Sequence, residues 1–493
     1  MRWQITLVTT IALAAASRAP AQPTAASAEL ERAAAAMGGL ERLQALDNFV
    51  MTGFGQSLSQ QGGAGVSGDP RAPGKWQAAH AVERSFDLRN ARAVNEERRA
   101  SLFPLASRSG QSWNLARQVQ TGLAALSHPL PALLAALDPA TVLGPVTVDE
   151  GRAVVQAATA GGETFWLAID STTGLPAWVR WIAPSTTLGD LTYTTHFTGY
   201  LPFDSVRLPI GLSTEIDWRN TTVAELHVDS YRLNVPGLTV PAAEAAAPAA
   251  TRAVAVPLAE GVWDVRYGED GGAVIEFSDH LVMFEAYASE EATFARLDLA
   301  NTLVPGKEVT EVIVSHHHFD HSGGLRAAVA RGLTIIAQRG NEPIFREMIA
   351  RPAPNFPDAL ARDPQSLKFV PVDEHLVLED ETMRVDVYHV IGHLHMADAV
   401  FAYVPRHRIF LEGDMTTHDW EWHWWGGSYL DNVEHYGLDP AINVPVHGIV
   451  TTFAETVTAI EEQVKRAREF CAERASVGVW PAGCPVRYSR ELD

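Results

Sequence analysis

The run Ser315-His316-His317-His318-Phe319-Asp320-His321-Ser322-Gly323-Gly324 constrains this chain more than any other stretch. It follows Glu311-Val312-Ile313-Val314, whose β-branched residues predict a buried strand. It precedes Leu325 to Arg331, which reads as a helix opened by a glycine turn. A fold that accommodates this order brings His316, His318, Asp320 and His321 together at the mouth of a strand. Imidazole nitrogens and carboxylate oxygens suit zinc and its neighbours. Such ligand density exceeds the needs of one metal with an open position and points to two adjacent metals. His317 alternates to the opposite side of an extended backbone, so it is read as lying behind the ligands or exposed.

Three further candidate ligand segments follow in order. Gly392-His393-Leu394-His395-Met396-Ala397-Asp398 leads into the apolar run Ala399 to Val404, which ends at Pro405. Arg408-Ile409-Phe410-Leu411-Glu412-Gly413-Asp414 places an aspartate after a strand and a glycine. Asn443-Val444-Pro445-Val446-His447-Gly448 ends a last strand on a histidine. Together with the first run, these segments resemble the motifs of the metallo-β-lactamase superfamily, in that family's order.

The resemblance implies two divalent metal ions, zinc before iron or manganese. His316, His318 and His395 would hold one, Asp320, His321 and His447 the other, and Asp414 would bridge them. It implies a hydroxide nucleophile generated at the dinuclear centre, with Asp320 as the catalytic carboxylate that orients it and shuttles its proton. His395 is preferred to His393 because its spacing from Gly392 and the run onward to Pro405 align better. Asp398 is read as a partner of a ligating histidine or as a cap of the turn before the strand.

The segment from His418 to Tyr429 holds four tryptophans and a tyrosine in a polar, glycine-containing stretch. Trp424, Trp425 and Tyr429 are candidates for a wall that accepts an apolar or aromatic small-molecule substrate. Packing against the N-terminal domain explains them equally well. His418 and His423 are read as bystanders.

At 493 residues the chain exceeds one ordinary domain. Its formal net charge of −21 disfavours nucleic acid, whose binding depends on Lys and Arg neutralising phosphates. Arg2, the apolar stretch Ile5 to Ala16 and Ala19-Pro20-Ala21 form a charged, apolar, small-residue succession that predicts a signal peptide over 1–21. A periplasmic or secreted protein is expected. No later segment has the roughly 18 uncharged apolar residues that a membrane span requires. The two cysteines, Cys471 and Cys484, either pair in an oxidising compartment or stay free.

Residues 22–234 read as a β-rich domain behind an Ala-rich helical segment from Ala25 to Leu46. Phe165 to Ile169, a turn over Asp170 to Pro176, and Ala177 to Ile182 predict a hairpin. Strands are expected over Leu191 to Phe197, Gly211 to Trp218 and Thr222 to Val228, and a short helix over Pro131 to Leu137. The turn Asp170-Ser171-Thr172-Thr173-Gly174-Leu175-Pro176, the Leu208-Pro209 strand opening and the helix-then-meander order resemble the curved half-open sheet of bacterial lipoprotein-carrier proteins. Residues 235–257, rich in Ala and Pro, read as a linker. Residues 258–493 form the metal-motif domain. The expected class is α+β: a C-terminal αββα sandwich of metallo-β-lactamase type behind a β-rich curved-sheet domain.

The leading functional expectation is an exported hydrolase of esters, lactones, thioesters or amides. The bridging aspartate aligns with glyoxalase-, lactonase- and phosphodiesterase-like branches rather than with antibiotic-degrading ones, although β-lactamase activity stays an alternative. A mononuclear iron dioxygenase of persulfide type is a second alternative, opposed by the presence of His321 and His447. An envelope lipid- or polypeptide-binding protein with a structural metal domain is a third.

Overall fold

The computed structural model describes residues 24–58, 67–69, 71–72, 74–100, 113–242, 251–393, 395–416 and 425–478. The expected signal peptide therefore lies outside the described residues.

The N-terminal unit opens with helix Ala25–Met37, capped by the Thr24 side chain, which accepts from the Ser27 amide. Its alanine-rich sequence favours helix, and Leu30, Ala33, Ala34 and Met37 bury one face. An eleven-stranded sheet follows, antiparallel at every pairing. It runs from Trp113–Thr121 at one edge, through Asn48–Leu58 and Thr221–Leu233 near its middle, to Val142–Asp149 at the other. The predicted hairpin is present as Thr164–Asp170 and Pro176–Ser185, with Phe165 opposite Trp181. Asp170 closes its turn by accepting from the Thr172 and Thr173 amides. The predicted helix is Pro129–Leu137, and with the first helix it packs on the sheet over Phe49, Phe86, Phe165, Leu167 and Tyr231.

The C-terminal unit holds two sheets. One has seven strands, in the order Ala253–Ala259, Val262–Tyr267, Ala273–Glu276, Leu281–Phe284, Val309–Ile313, Thr334–Gln338 and Lys368–Val372. The other has six, from His375–Glu379 through Arg384–His389, Val400–Val404, Ile409–Glu412 and Ile442–Pro445 to Thr451–Thr452. Their inner faces meet through Ile275, Val282, Ile313 and Ile336 on one side and Val387, Val400, Leu411 and Val444 on the other. Helices Glu290–Leu303, Leu325–Ala330 and Glu342–Ala350 cover the first sheet. Helices Gly427–His435 and Phe453–Ser476 cover the second. The result is an αββα sandwich. No helix among the described residues is long and apolar enough to cross a membrane. Cys471, on the last helix, is disulfide-bonded, and Cys484 lies outside the described residues.

The sandwich begins earlier than the sequence suggests. Ala253–Ala259 is an edge strand paired with Val262–Tyr267, and it starts within the stretch 235–257 read as linker. Its alternating Ala and Val satisfy a strand, and Pro257 is tolerated because it sits at a sheet edge.

The two units share a core. Leu188, Leu191, Ile216, Trp218 and Val223 of the N-terminal sheet pack in one cluster with Ile344, Phe345 and Met348 of the sandwich. Polar contacts fix the docking. Arg219 donates to both oxygens of Glu347, at 2.8 and 3.0 Å, and Trp218 Nε1 donates to the same carboxylate at 2.9 Å. Arg351 pairs with Asp217 at 2.9 Å, and Asp190 accepts from the Asn355 amide and side chain.

Candidate metal centre

The strand Val309–Ile313 lies buried between two parallel neighbours and delivers Val314 and Ser315 to the sheet's carboxyl edge. There the chain turns into the short helix Phe319–Ser322. His316, His318, His395 and Asp414 bring their ligand atoms within 4.8 Å of one another. Asp320, His321 and His447 form a second group of the same kind. Asp414 faces both: Oδ2 lies 2.8 Å from His395 Nε2, and Oδ1 lies 3.1 Å from His321 Nε2 and 3.4 Å from His447 Nε2. His393 and His317 stand outside both groups. His393 Nδ1 accepts from the His395 amide, and His317 is fully buried rather than exposed.

Outer contacts aim the imidazoles. Ser315 Oγ lies 2.9 Å from His316 Nδ1, Glu285 Oε2 lies 3.1 Å from His321 Nδ1, and Asp270 Oδ1 lies 3.0 Å from His447 Nδ1. With each Nδ1 engaged, each Nε2 faces the site, an arrangement common around ligating histidines. Glu285 is itself completely buried at φ +84°, a region a non-glycine residue avoids. It is held there because its amide donates to the Ile313 carbonyl and its carboxylate accepts from the Ser315 amide and hydroxyl. Strain of this kind collects at sites that need a fixed geometry. At Gly413 a Cβ would overlap Ser315 Oγ, so the aspartate motif passes this close to the histidine run only through a glycine.

The electrostatics suit cations. Burial, then the neighbouring imidazoles, push His316 and His318 well below the ordinary histidine range, toward the neutral form that ligates. Burial opposes charge at His321 too, but Asp414 and Asp320 outweigh it and raise that histidine. His447 is raised to about 10 against burial by Asp270 and Asp320. Burial would raise Asp414, yet His321 and His395 hold it well below the carboxylate range. His316 Nε2 and Asp320 Oδ1 are buried in this cluster without a hydrogen-bond partner. Buried polar atoms are rarely left so, and two divalent ions fit these donors.

Residues 273–447 match the family model described as the metallo-beta-lactamase superfamily. The sandwich is a metallo-β-lactamase superfamily domain. It is thus a domain of the metallo-hydrolase kind. The linear primary-alkylsulfatase of Pseudomonas sp is 37% identical over 71 residues, 14% of this chain and 10% of that protein. The chain thus spans about a tenth of the length of this curated relative. Among solved structures, the metallo-beta-lactamase from Pontibacter korlensis is 16% identical, covering 43% of this chain and 99% of that one at a TM-score of 0.35. The enzyme from Hirschia baltica is 18% identical, covering 43% and 98% at 0.34.

Among the described residues of the aromatic segment of this metallo-β-lactamase domain, neither Trp425 nor Tyr429 presents an exposed wall to a substrate. Trp424, with His418 and His423, lies outside the described residues. Trp425 is buried, stacks on His395 at 4.9 Å and 10°, and donates from Nε1 to the Asp414 carbonyl at 2.8 Å. It buttresses two of the candidate ligands. Tyr429 is fully buried beside Phe410 and Phe453 on the inner face of its helix, so it is a core residue with no surface to offer a substrate. Asp398 does not touch a ligating histidine; it accepts from the Gly68 amide at 2.8 Å and from the Ser67 hydroxyl.

Sequence reasoning missed Glu285, Asp270 and Lys75. Lys75, half-buried, reaches from the N-terminal unit to within 3.4 Å of His318 Nε2. Burial lowers its pKa to about 8, with Asp414 and Asp320 opposing.

Proposed function

We propose that this protein is an exported metal-dependent hydrolase that cleaves an ester-type bond at a dinuclear centre. The observation that carries the proposal is the position of the Asp414 carboxylate, one oxygen toward each ligand group. His316, His318 and His395 would hold one divalent ion, and Asp320, His321 and His447 the other, with Asp414 shared; the donor set favours zinc over iron or manganese. Bound there, such ions supply Lewis acidity and a hydroxide nucleophile near neutral pH.

The residues of the chain supply the rest. Asp320, whose Oδ1 is buried and unpartnered, would orient the attacking water and accept its proton. Glu285 and Ser315 keep His321 and His316 aimed, and Trp425 holds Asp414 and His395 in register. Esters, lactones, thioesters and amides are the substrate classes this chemistry serves. The name of the alkylsulfatase relative adds sulfate esters to them. The charged, apolar and small-residue succession over 1–21 supports export to the periplasm or beyond.

Metal quantification of the purified protein, with a panel of carboxylic ester, lactone, thioester, sulfate ester and β-lactam substrates, tests the reading. Turnover that disappears on chelation and returns with added zinc supports it. Full turnover in stably metal-free protein contradicts it.

A second reading concerns the N-terminal unit. A pocket of about 350 Å³, lined by the apolar Phe86, Leu88, Leu126 and Leu134 together with the charged Asp87, Arg89, Arg92 and Glu163, favours a bound amphipathic ligand there. Lipid that copurifies with the chain would support that role.

A further inference from the structure

We infer that Arg296 is the positioning residue of the second ligand group, a buried clamp on the two chain segments that aim His321 and His447. The inference rests on the dinuclear reading and deepens it, because it assigns the geometry around one ion to a residue outside both ligand groups.

Arg296 lies on helix Glu290–Leu303 and is completely buried. Its Nη2 donates to the Phe284 carbonyl at 3.2 Å. The next residue is Glu285, whose carboxylate stands 3.1 Å from His321 Nδ1. Thr293, one turn earlier on the same helix, donates to the Ala286 carbonyl. The helix thus grips the chain on both sides of Glu285. It does so where Glu285 and Tyr287 both stand at positive φ, at +84° and +62°. Non-glycine residues avoid that region, so the conformation needs holding from outside.

The same guanidinium meets a second segment. A Cβ at Gly272 would overlap Arg296 Nη2 and come within 2.5 Å of the Phe284 carbonyl oxygen. A glycine lets residue 272, that carbonyl and the guanidinium meet in one place. Two positions earlier, Asp270 sets Oδ1 3.0 Å from His447 Nδ1 and forms an isolated bridge with His447. Between them, the Gly271 amide donates to the Val446 carbonyl at 2.8 Å. The supports of His321 and His447 therefore converge on one side chain. Glu285 reaches the first group less directly, through Ser315 to His316, and Trp425 supports His395.

Charge fits the position. Burial lowers the Arg296 pKa to about 10, opposed by Glu285, Asp264 and Asp270, so the side chain stays cationic at neutral pH. Its Nε and Nη1 are buried without a hydrogen-bond partner among the described residues, so these carboxylates act on it through space. Carboxylates gathered behind neighbouring histidines repel one another, and a cation common to them offsets that repulsion.

The test uses the full chain loaded with cadmium and read by cadmium NMR, with metal content measured on the same samples. The unaltered protein should give two resonances, assigned by their loss in His395→Ala and His321→Ala. Arg296→Met removes both the bond and the charge. Affinity for the ion at Asp320, His321 and His447 should then fall about tenfold or more, the range for supports of metal ligands, and by a larger factor than at the other ion. Arg296→Lys keeps the charge and should retain more of that affinity. Gly272→Ala forces the guanidinium aside; it should repeat the selective loss, and it carries the test where Arg296→Met does not fold. Equal losses at the two ions, or an unchanged affinity at the second, would overturn the inference alone, since a general loosening of the fold does not choose between ions. A single resonance in the unaltered protein would overturn the dinuclear reading and the inference with it. Two resonances without turnover of any ester would remove only the hydrolase reading.

Discussion

Trp425 lies flat on His395, ring to ring at 4.9 Å and 10°, while its Nε1 donates to the Asp414 carbonyl at 2.8 Å. One side chain thus contacts two of the candidate ligands. Trp425→Phe keeps the stack and loses the bond, whereas Trp425→Ala loses both. Outer-sphere partners of this kind commonly contribute roughly 10–100-fold to metal affinity or activity. We expect Trp425→Ala to fall in that range and Trp425→Phe to lose less. Metal affinity from competition with a chromogenic chelator measures both, and an unchanged affinity in Trp425→Ala would leave the tryptophan a packing residue.

Glu285 is buried at positive φ and accepts from Ser315 twice, with His321 Nδ1 3.1 Å away. Glu285→Ala strands those donors in a dry site. A loss of roughly 2–4 kcal/mol of stability is expected, the scale of breaking a buried polar network. Thermal unfolding of the metal-free protein isolates this from ligand loss. A melting temperature within a degree or so of the unaltered chain would show that the network does not hold the loop.

His128 is fully buried beside Phe49 and Tyr231; its Nδ1 accepts from the Leu130 amide, and its Nε2 lies 3.1 Å from the Tyr231 hydroxyl. Burial, helped by Arg84, holds its pKa down at about 3 from the ordinary 6.5. Below about pH 6.5 the unfolded chain carries a proton here that the folded chain refuses, so stability falls as the pH drops toward 3. His128→Asn removes this proton. The dependence of unfolding free energy on pH should then be shallower by up to about 1.4 kcal/mol per pH unit in that window. Urea denaturation between pH 7 and pH 4 checks it, and parallel slopes for the two proteins would remove His128 from the account.

Four of the candidate ligands were legible because each follows a strand closely: His316 and His318 after Val309–Ile313, Asp414 after Ile409–Glu412, His447 after Ile442–Pro445. Strand, turn and ligand are adjacent in sequence, so local pattern carries them. Their supports are not local. Asp270 meets His447 through an isolated bridge across 177 positions, and Lys75 meets His318 across 243. No period or spacing announces such pairs; the sheet order and the docking of the two units create them. Tyr429 had a local signal that the aromatic richness masked. With Leu430 and Val433 it forms the buried stripe of helix Gly427–His435, the ordinary reading of aromatics at helical spacing. The strand Ala253–Ala259 hid in a composition poor in large apolar residues, which an edge strand does not need.

Asp320 and Asp414 should fail in different ways. Asp320→Asn keeps the shape and loses the charge that orients the attacking water, so turnover should fall about 10²-fold or more with substrate binding less affected. In Asp414→Asn metal loss should come first, with activity partly restored by excess metal. Metal content and turnover measured together on both variants separate the two roles. Near-normal turnover in Asp320→Asn at full metal occupancy would rule out its part in the chemistry.

The central claim is that the two ligand groups hold a pair of ions through one shared carboxylate. The most direct measurement is the number of metal equivalents per chain, by elemental analysis after zinc loading and removal of free metal, for the unaltered protein and Asp414→Asn. About two equivalents in the first, falling to one or fewer in the second, is the predicted result. No metal retained by the unaltered protein, or two equivalents held equally tightly without the Asp414 carboxylate, would contradict it.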